Sequence, residues 1–266
     1  MLIPKKSARS TSYYAIADYY DAEYQSSAML AQDVPFFLKH LPKRRQSILE
    51  LATGTARAAI PIAQAGHRVV GVDYDPGMLE IARQKRDSVG IAEKNLSLKK
   101  RDVLRLKLGE KFDWICLLFN TFLNFTTIEQ QDQLLQGVRD HLKKTGRFWI
   151  DIFNPDLHRL AQPRSMKLDP VLFYVPHLDR TVSRLTEIRP DPVNQRQRVI
   201  FLYHWFDRDG RERRKRVSFD LTFMFPRELR LLMERNGLRI EKLYGDYDGS
   251  ELTNDSPRII ACCRKS

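Results

Sequence analysis

The sequence predicts an α/β protein: a mostly parallel sheet with helices on both faces. Three observations carry that prediction. Short apolar segments alternate with amphipathic helical ones over 47–153. One of them, 112–119 (FDWICLLF), is continuously apolar, as expected of a central strand covered on both faces. The alternation lapses over 156–225 and resumes at Pro226. Repeated strand–helix–strand units of this kind imply right-handed crossovers and parallel pairing.

The chain opens with helix formers. Tyr13, Tyr14, Ile16, Ala17, Tyr20 and Tyr24 recur at steps of three and four, the period of a helix. Residues 34–41 continue as a second helix that Pro42 stops. The first predicted strand is 47–52 (SILELA), followed by a turn at 53–55 and a short helix over 57–65 closed by Gly66. The second strand is 67–72 (HRVVGV). Asp75-Pro76-Gly77 then starts a helix to about Val89, with Pro76 in its first turn. A weaker third strand (96–100) precedes the apolar fourth. A helix over 128–142 sets Leu134, Leu135, Val138 and Leu142 on one stripe, and 147–153 (RFWIDIF) is the fifth strand. After Pro155 the segments 172–175, 181–188, 196–205 and 215–225 read as β, with Asp209-Gly210 at a hairpin turn. A helix over 226–236, stopped by Gly237, and two last strands, 239–244 and 258–264, bring the main sheet to seven strands. The expected organisation is an N-terminal helical cap (1–45), a Rossmann-like sheet domain (46–155 with 226–266) and an inserted antiparallel β lid (156–225).

Composition narrows the class. Over 266 residues, 42% hydrophobic and 29% charged content supports a packed core rather than disorder. No apolar run approaches the ~20 residues of a membrane helix, and Met1 to Lys6 is not followed by a signal-peptide stretch. The expectation is a cytoplasmic protein. Cys116, Cys262 and Cys263 show no metal-ligand spacing and are an odd number, so buried reduced thiols and no metal are expected. The net charge is +12, and half of that excess falls between Arg180 and Arg216, which hold eleven basic and five acidic residues. Such a charge favours anionic partners without naming one.

In an open α/β sheet, ligands bind beyond the carboxyl ends of the strands, where the strand order switches. The first strand ends Glu50-Leu51-Ala52-Thr53-Gly54-Thr55-Ala56, with small residues at 52, 54 and 56 that let the backbone approach a ligand. Alanine suits the places at 52 and 56 unless a positive φ is required there. The second strand ends at Asp73, 19 residues after Gly54, where a carboxylate can accept from both hydroxyls of a ribose. Asp102-Val103 follows the third strand, a carboxylate for an adenine amino group beside an apolar side chain for its ring. Three acidic residues at successive strand ends suit a cationic or neutral adenosine compound and repel a pyrophosphate. A nicotinamide cofactor would need G-x-G-x-x-G, and Gly54 is followed by Thr55-Ala56-Arg57-Ala58-Ala59, with no further glycine in that stretch.

These segments resemble the class I S-adenosylmethionine (SAM)-dependent methyltransferases. Glu50 to Ala56 is similar to their glycine-rich first motif, and Gly71-Val72-Asp73-Tyr74-Asp75-Pro76-Gly77-Met78-Leu79 to the acidic-loop motif after the second strand. The resemblance implies SAM as cofactor and S-adenosyl-L-homocysteine as product. It implies that Ala52 and Gly54 line the methionine part and that Glu50 supports the loop. Asp73 would hold the ribose, Tyr74 and Met78 flank the adenine, and Asp102 with Val103 read its edge. Leu118-Phe119-Asn120 would stand where the fourth strand meets cofactor and substrate. A narrower likeness, carried by 18–24 (DYYDAEY), the β-rich insertion, 245–250 (GDYDGS) and 255–258 (DSPR), points to a bacterial small-molecule branch that includes amino-sugar N,N-dimethyltransferases. In that branch a Tyr-Asp segment closes over the cofactor, a role that falls to Tyr20. A histidine found near the fourth-strand loop in some amino-sugar enzymes of that branch corresponds to Asn124 here.

Several residues keep two readings. Tyr20 contacts cofactor and substrate or is one packing aromatic among many. His158, after the fifth strand, is a catalytic candidate or a capping residue. Asp246 and Asp248 face a substrate amine or shape a turn. The run Arg211 to Arg216 (RERRKR) grips phosphate or RNA, or is a solvated hairpin face; no recognisable nucleic-acid module accompanies it. Methyl transfer mainly needs proximity and alignment. A neutral amine needs no base whereas a hydroxyl usually does. No His–carboxylate base pair stands out, which favours N over O as acceptor. The expected protein is a methyltransferase acting on a small molecule, with an anionic one among the options, as monomer or homodimer. The rival readings are an RNA methyltransferase using the basic insertion and a non-catalytic SAM-binding sensor.

Overall fold

The computed structural model describes residues 13–26, 30–161 and 165–266. The first twelve residues of the expected cap lie outside them. Two helices, α1 (Ala17–Gln25) and α2 (Asp33–His40), precede the first strand. The alternating region runs β1 (Ser47–Leu51), α3 (Ala59–Gln64), β2 (Arg68–Asp73), α4 (Pro76–Ser88), β3 (Leu96–Lys100), β4 (Phe112–Leu117), α5 (Ile128–His141) and β5 (Leu142–Phe153). A one-turn helix, α6 (Leu157–Leu160), leads to four antiparallel strands: β6 (Met166–Val175), β7 (Arg180–Asp191), β8 (Arg196–Phe206) and β9 (Glu212–Thr222). The chain returns with α7 (Pro226–Arg235), β10 (Leu238–Tyr244) and β11 (Arg258–Lys265).

The main sheet has seven strands in the order β10-β11-β5-β4-β1-β2-β3. All neighbours pair in parallel except β11, which runs against both β5 and β10. The order reverses at β1, which pairs with β2 on one side and β4 on the other. Chain connections therefore leave this point to opposite faces and open a crevice at the strand tips. The capping chemistry read from the sequence is in place. Asp75 accepts from the N–H groups of Gly77 and Met78 ahead of α4, and Thr127 caps α5.

Each sheet face has its own core. Leu134, Leu135 and Val138 of α5 and Leu229 and Met233 of α7 cover one face. That core continues into Phe173, Val182, Val217 and Phe219 of the four-stranded sheet. Val34 and Phe37 of α2, Ile62 of α3 and Leu79 of α4 cover the other. The three cysteines are buried and unpaired. Among the described residues no helix is long and apolar enough to cross a membrane.

Two sequence expectations are corrected. Strands β5 to β8 run longer than their apolar cores, because ladder hydrogen bonds continue through polar residues such as Lys167, Glu187 and Arg189. And a positive φ is required at Ala52 and Ala56, at +51° and +60°, so alanine there is not strain-free; a left-handed L-residue costs about 1–2 kcal/mol.

One glycine is fixed by close approach. Gly71 sits opposite Glu50 in the β1–β2 ladder, and a Cβ there would come within 2.9 Å of both Thr53 Oγ1 and Leu98 Cδ2. Gly71→Ala is expected to destabilise the fold by about 1–3 kcal/mol through overpacking. Chemical denaturation measures this.

Candidate active site

The tips of β1 and β2 are tied together by side chains acting on backbone. Thr53 N–H donates to Val72 C=O at 2.9 Å, extending the β1–β2 pairing by one step. The loop then takes left-handed conformations at Ala52, Gly54 and Ala56. Asp73 holds it: one carboxylate oxygen accepts from Gly54 N–H at 2.8 Å and the other from Asp75 N–H at 2.9 Å. From behind, the buried Glu50 accepts the Thr53 hydroxyl. Burial raises the Asp73 carboxyl above its ordinary range and pushes that of Glu50 up to about 7.

Beyond these tips lies a cavity of about 1610 Å³. That exceeds the several hundred Å³ of an ordinary single-ligand cleft, so there is room for two molecules. Ala52, Gly54, Asp73, Tyr74, Met78, Asp102, Val103 and Phe119 line one half. Tyr20 faces it from α1, and His158 from α6. Glu50 and Leu118 do not reach this cavity. They line a small adjoining recess together with Ala52, Gly54, Arg57 and Phe119. The structure therefore gathers Asp73 and Asp102 around one space and leaves Glu50 behind the loop, where only the loop's shape depends on it. Asp102 lies exposed on the rim, with one oxygen accepting from Leu104 N–H at 2.9 Å.

This donor set suits an adenosine. A carboxylate offers about four acceptor sites, and Asp73 uses one on each oxygen for the backbone, leaving others for a diol. Met78 and Val103 give apolar surface beside Asp102.

Known proteins point the same way. Residues 48–146 match the methyltransferase-domain family model. Over 227 residues, the chain is 26% identical to the cypemycin N-terminal methyltransferase of a Streptomyces species, covering 85% of this chain and 86% of that protein. Among solved structures it is similar to the CcbJ methyltransferase of Streptomyces caelestis, with a TM-score of 0.76 and 22% identity, covering 90% of this chain and 97% of that one. It is also similar to a sugar N-methyltransferase of Streptoalloteichus, with a TM-score of 0.69 and 19% identity over 100% and 99%. The chain carries a SAM-dependent methyltransferase domain.

In this methyltransferase the cap is stapled to the loop after β1. Asp21 of α1 accepts from Thr55 Oγ1 at 2.8 Å and from Lys85 Nζ of α4 at 2.9 Å. Asp33 of α2, which is buried, takes a bidentate bond from Arg57 at 2.9 and 2.5 Å. The same helix α1 meets the antiparallel sheet on its other side: Glu23 is bonded by Arg184 of β7 and by Tyr203 Oη of β8 at 3.3 Å. Ahead of α1, Tyr13 stacks on Phe219 of β9 at 4.1 Å and donates to Asn124 Oδ1 at 3.2 Å.

The second half of the cavity is therefore walled by cap, lid and the segment after β4: Tyr13, Glu23, Tyr24, Asn124, Arg184, Arg196, Phe201 and Phe223. The run Arg211 to Arg216 does not line it; Arg213 pairs with Asp207 and Arg214 with Glu212 on the outer hairpin. Asp246 and Asp248 also stay outside and accept from Tyr247 N–H and Ser250 N–H, the turn-shaping alternative.

Sequence reading missed Asp33, Arg57, Asp151, Arg258 and Arg196. Asp151 and Arg258 form a fully buried ion pair at 2.9 Å, with Tyr247 Oη donating to Asp151 at 2.5 Å. A charged residue inside the apolar run RFWIDIF, and an aspartate at the start of the second helix, were the available signals: each must find a cation in the folded core.

The Glu50 carboxyl gives a pH test. Its folded value lies above its ordinary one, so the folded state binds the extra proton between about pH 4.5 and 7. Its contribution to stability is present at the acid end and fades as pH rises through about 7. Glu50→Gln keeps an oxygen for Thr53 and cannot ionise. Relative to wild type it should gain stability as pH rises from 4.5 to 8, by roughly 3 kcal/mol at most; denaturant midpoints at both pH values measure it.

Proposed function

We propose that this enzyme transfers the methyl group to an amine nitrogen of a small molecule held between cap, lid and sheet. The observation that carries this reading is the protonation chemistry of the acceptor half. Burial pushes the hydroxyls of Tyr13, Tyr20 and Tyr24 above their ordinary range, so they keep their protons at neutral pH. Three of the carboxylates that line the cavity are engaged by cations, Glu23 by Arg184, Asp156 by Arg159 and Asp220 by Arg198. Such walls orient a nucleophile but do not deprotonate it. A neutral amine attacks without a base; a hydroxyl usually needs one. Aromatic surfaces also favour the cationic amine product. One relative is named as a cypemycin N-terminal methyltransferase and one structural neighbour as a sugar N-methyltransferase, which supports the same reading.

SAM supplies a methyl group on a sulfonium, whose leaving sulfur departs neutral. The residues of this chain bind and align. Asp73 accepts from the ribose hydroxyls. Tyr74, Met78 and Val103 enclose the adenine, and Asp102 takes its amino group. Ala52 and Gly54 leave space for the methionine part, with Glu50 bracing the loop from behind and Leu118 and Phe119 forming the floor. Tyr20 closes the cap over the cofactor, and the inserted β region selects the acceptor. His158 lines the cavity from α6 beside the acceptor.

The acceptor carries an anionic group at the far end of the lid. Arg196 lines the cavity, donates from Nη2 to Thr126 C=O at 3.0 Å, and has no carboxylate partner among the described residues. Its Nε is buried without a partner. A lone guanidinium on a cavity wall calls for an anion.

Methyl-transfer assays over matched amines, alcohols and acids test the reading: amines should be methylated and alcohols not, and methylation of alcohols alone with a bell-shaped pH profile would overturn it. Asp73→Ala should weaken SAM binding by about 10²-fold, from the loss of two charge-assisted hydrogen bonds, as read by calorimetry. With the best amine in hand, Arg196→Ala should raise KM at least tenfold for an acceptor bearing phosphate or carboxylate and leave its neutral analogue unaffected.

A further inference from the structure

Phe119 and Asn120, just past β4, are two successive non-glycine residues in the left-handed region, at φ +56° and +58°. Such a turn is costly. It is held by bonds to β5: Asn120 N–H donates to Asp151 C=O at 2.9 Å, and Asn120 Oδ1 accepts from Phe153 N–H at 2.6 Å. The ring it presents lines both the main cavity and the recess under the Gly54 loop.

Two guanidinium groups approach that ring. The central carbon of Arg57 lies 5.4 Å from its centroid and that of Arg258 5.7 Å, while Tyr24 meets it edge-on at 4.3 Å. Each cation carries its own buried carboxylate: Asp33 for Arg57 and Asp151 for Arg258. The four charges come from four separate places: α2, the loop after β1, β5 and the start of β11. Arg258 also lies over the Tyr247 ring at 4.5 Å.

Buried ion pairs are weak sources of stability, since apolar groups of the same volume often serve as well. Two of them converging on one ring that faces the reaction space call for another reason. We propose that Asp33–Arg57 and Asp151–Arg258 are positioning pairs that act through Phe119, fixing its ring so that donor methyl and acceptor nitrogen are aligned. A planar, charged guanidinium sets the distance and tilt of an aromatic ring in a way that an aliphatic or ammonium group does not. Because each guanidinium is neutralised locally, the pair of pairs holds the ring without adding net positive charge beside a cationic sulfonium. One pair includes a cap residue, so docking of the cap and placement of the ring are the same event.

The inference rests on the cavity being the methyl-transfer site, and the test separates the two. The full chain is loaded with [methyl-13C]SAM, and the bound methyl resonance, the SAM Kd, the thermal midpoint and the single-turnover rate with the best amine of the acceptor panel are measured. The variants are Arg258→Lys, Arg57→Lys, Phe119→Leu and the doubles with Phe119→Leu. Each lysine variant should keep the SAM Kd within about threefold, move the methyl resonance and lower the single-turnover rate at least tenfold. In the doubles, the lysine change should add nothing to what Phe119→Leu does alone, because the route runs through the ring. An unmoved resonance and unchanged rate in both lysine variants, or rate losses that multiply in the doubles, would overturn the proposal. If one lysine variant fails to fold, the other decides. Failure of the wild-type chain to bind SAM at all would instead strike the site assignment on which it rests.

Discussion

The hydrogen bond from Gly54 N–H to the Asp73 carboxylate, at 2.8 Å, joins the tips of two adjacent parallel strands at the point where the strand order reverses. Parallel pairing sends both chains out at the same edge of the sheet, and the reversal leaves a crevice there. The tie fixes the start of the loop after β1. With it, the backbone stays left-handed at three alternate positions, two of them alanines. The strain of those alanines is offset by the Asp73 bond on one side and the Glu50–Thr53 bond on the other. The carboxylate that shapes the loop is also the one facing the cavity, so loop geometry and ligand-facing charge are not separable at this site.

Everything around the crevice is attached through that loop. Asp21 and Asp33 bring the two cap helices onto Thr55 and Arg57, one and three residues beyond Gly54. The opposite side of α1 receives the antiparallel sheet through Glu23 and Tyr19, whose ring lies 5.1 Å from Tyr203. Helix α1 is thus shared between three layers, and a movement of any of them is felt at the cavity. This architecture also disposes of much of the basic charge in the insertion. Of the eleven basic residues between Arg180 and Arg216, five (Arg184, Arg189, Arg198, Arg213 and Arg214) pair with carboxylates. The run that looks most like a nucleic-acid grip is a hairpin surface, while Arg196 is the one described basic residue of the insertion that lines the cavity without a carboxylate partner.

Legibility followed the range of the interactions. The third strand was readable to the residue, and the starts of α4 and α5 nearly so, because period, caps and proline act within a few residues of sequence. The insertion strands were readable only at their apolar centres, since cross-strand ladders extend them through polar residues. At the site, Gly54 and Asp73 were read from strand-end position alone, and both line the cavity. Glu50 was read as one of three converging carboxylates, and it lies behind the loop because the alternation of β1 turns it into the core. Asp33, Arg57, Asp151 and Arg258 gave almost no local signal: each is meaningful only beside a partner up to 107 residues away.

The sequence by itself determined the alternation, the parallel sheet, the position of the crevice and the adenosine-shaped chemistry at the strand tips, since these follow from local periodicity and from the rule that ligands meet a sheet where its order switches. Only the tertiary structure decided which charges neutralise one another, which face of α1 meets the lid, and which rings wall the acceptor half. Those are outcomes of packing between segments distant in the chain, where the cost of burying a charge is met by whichever opposite charge the fold brings near.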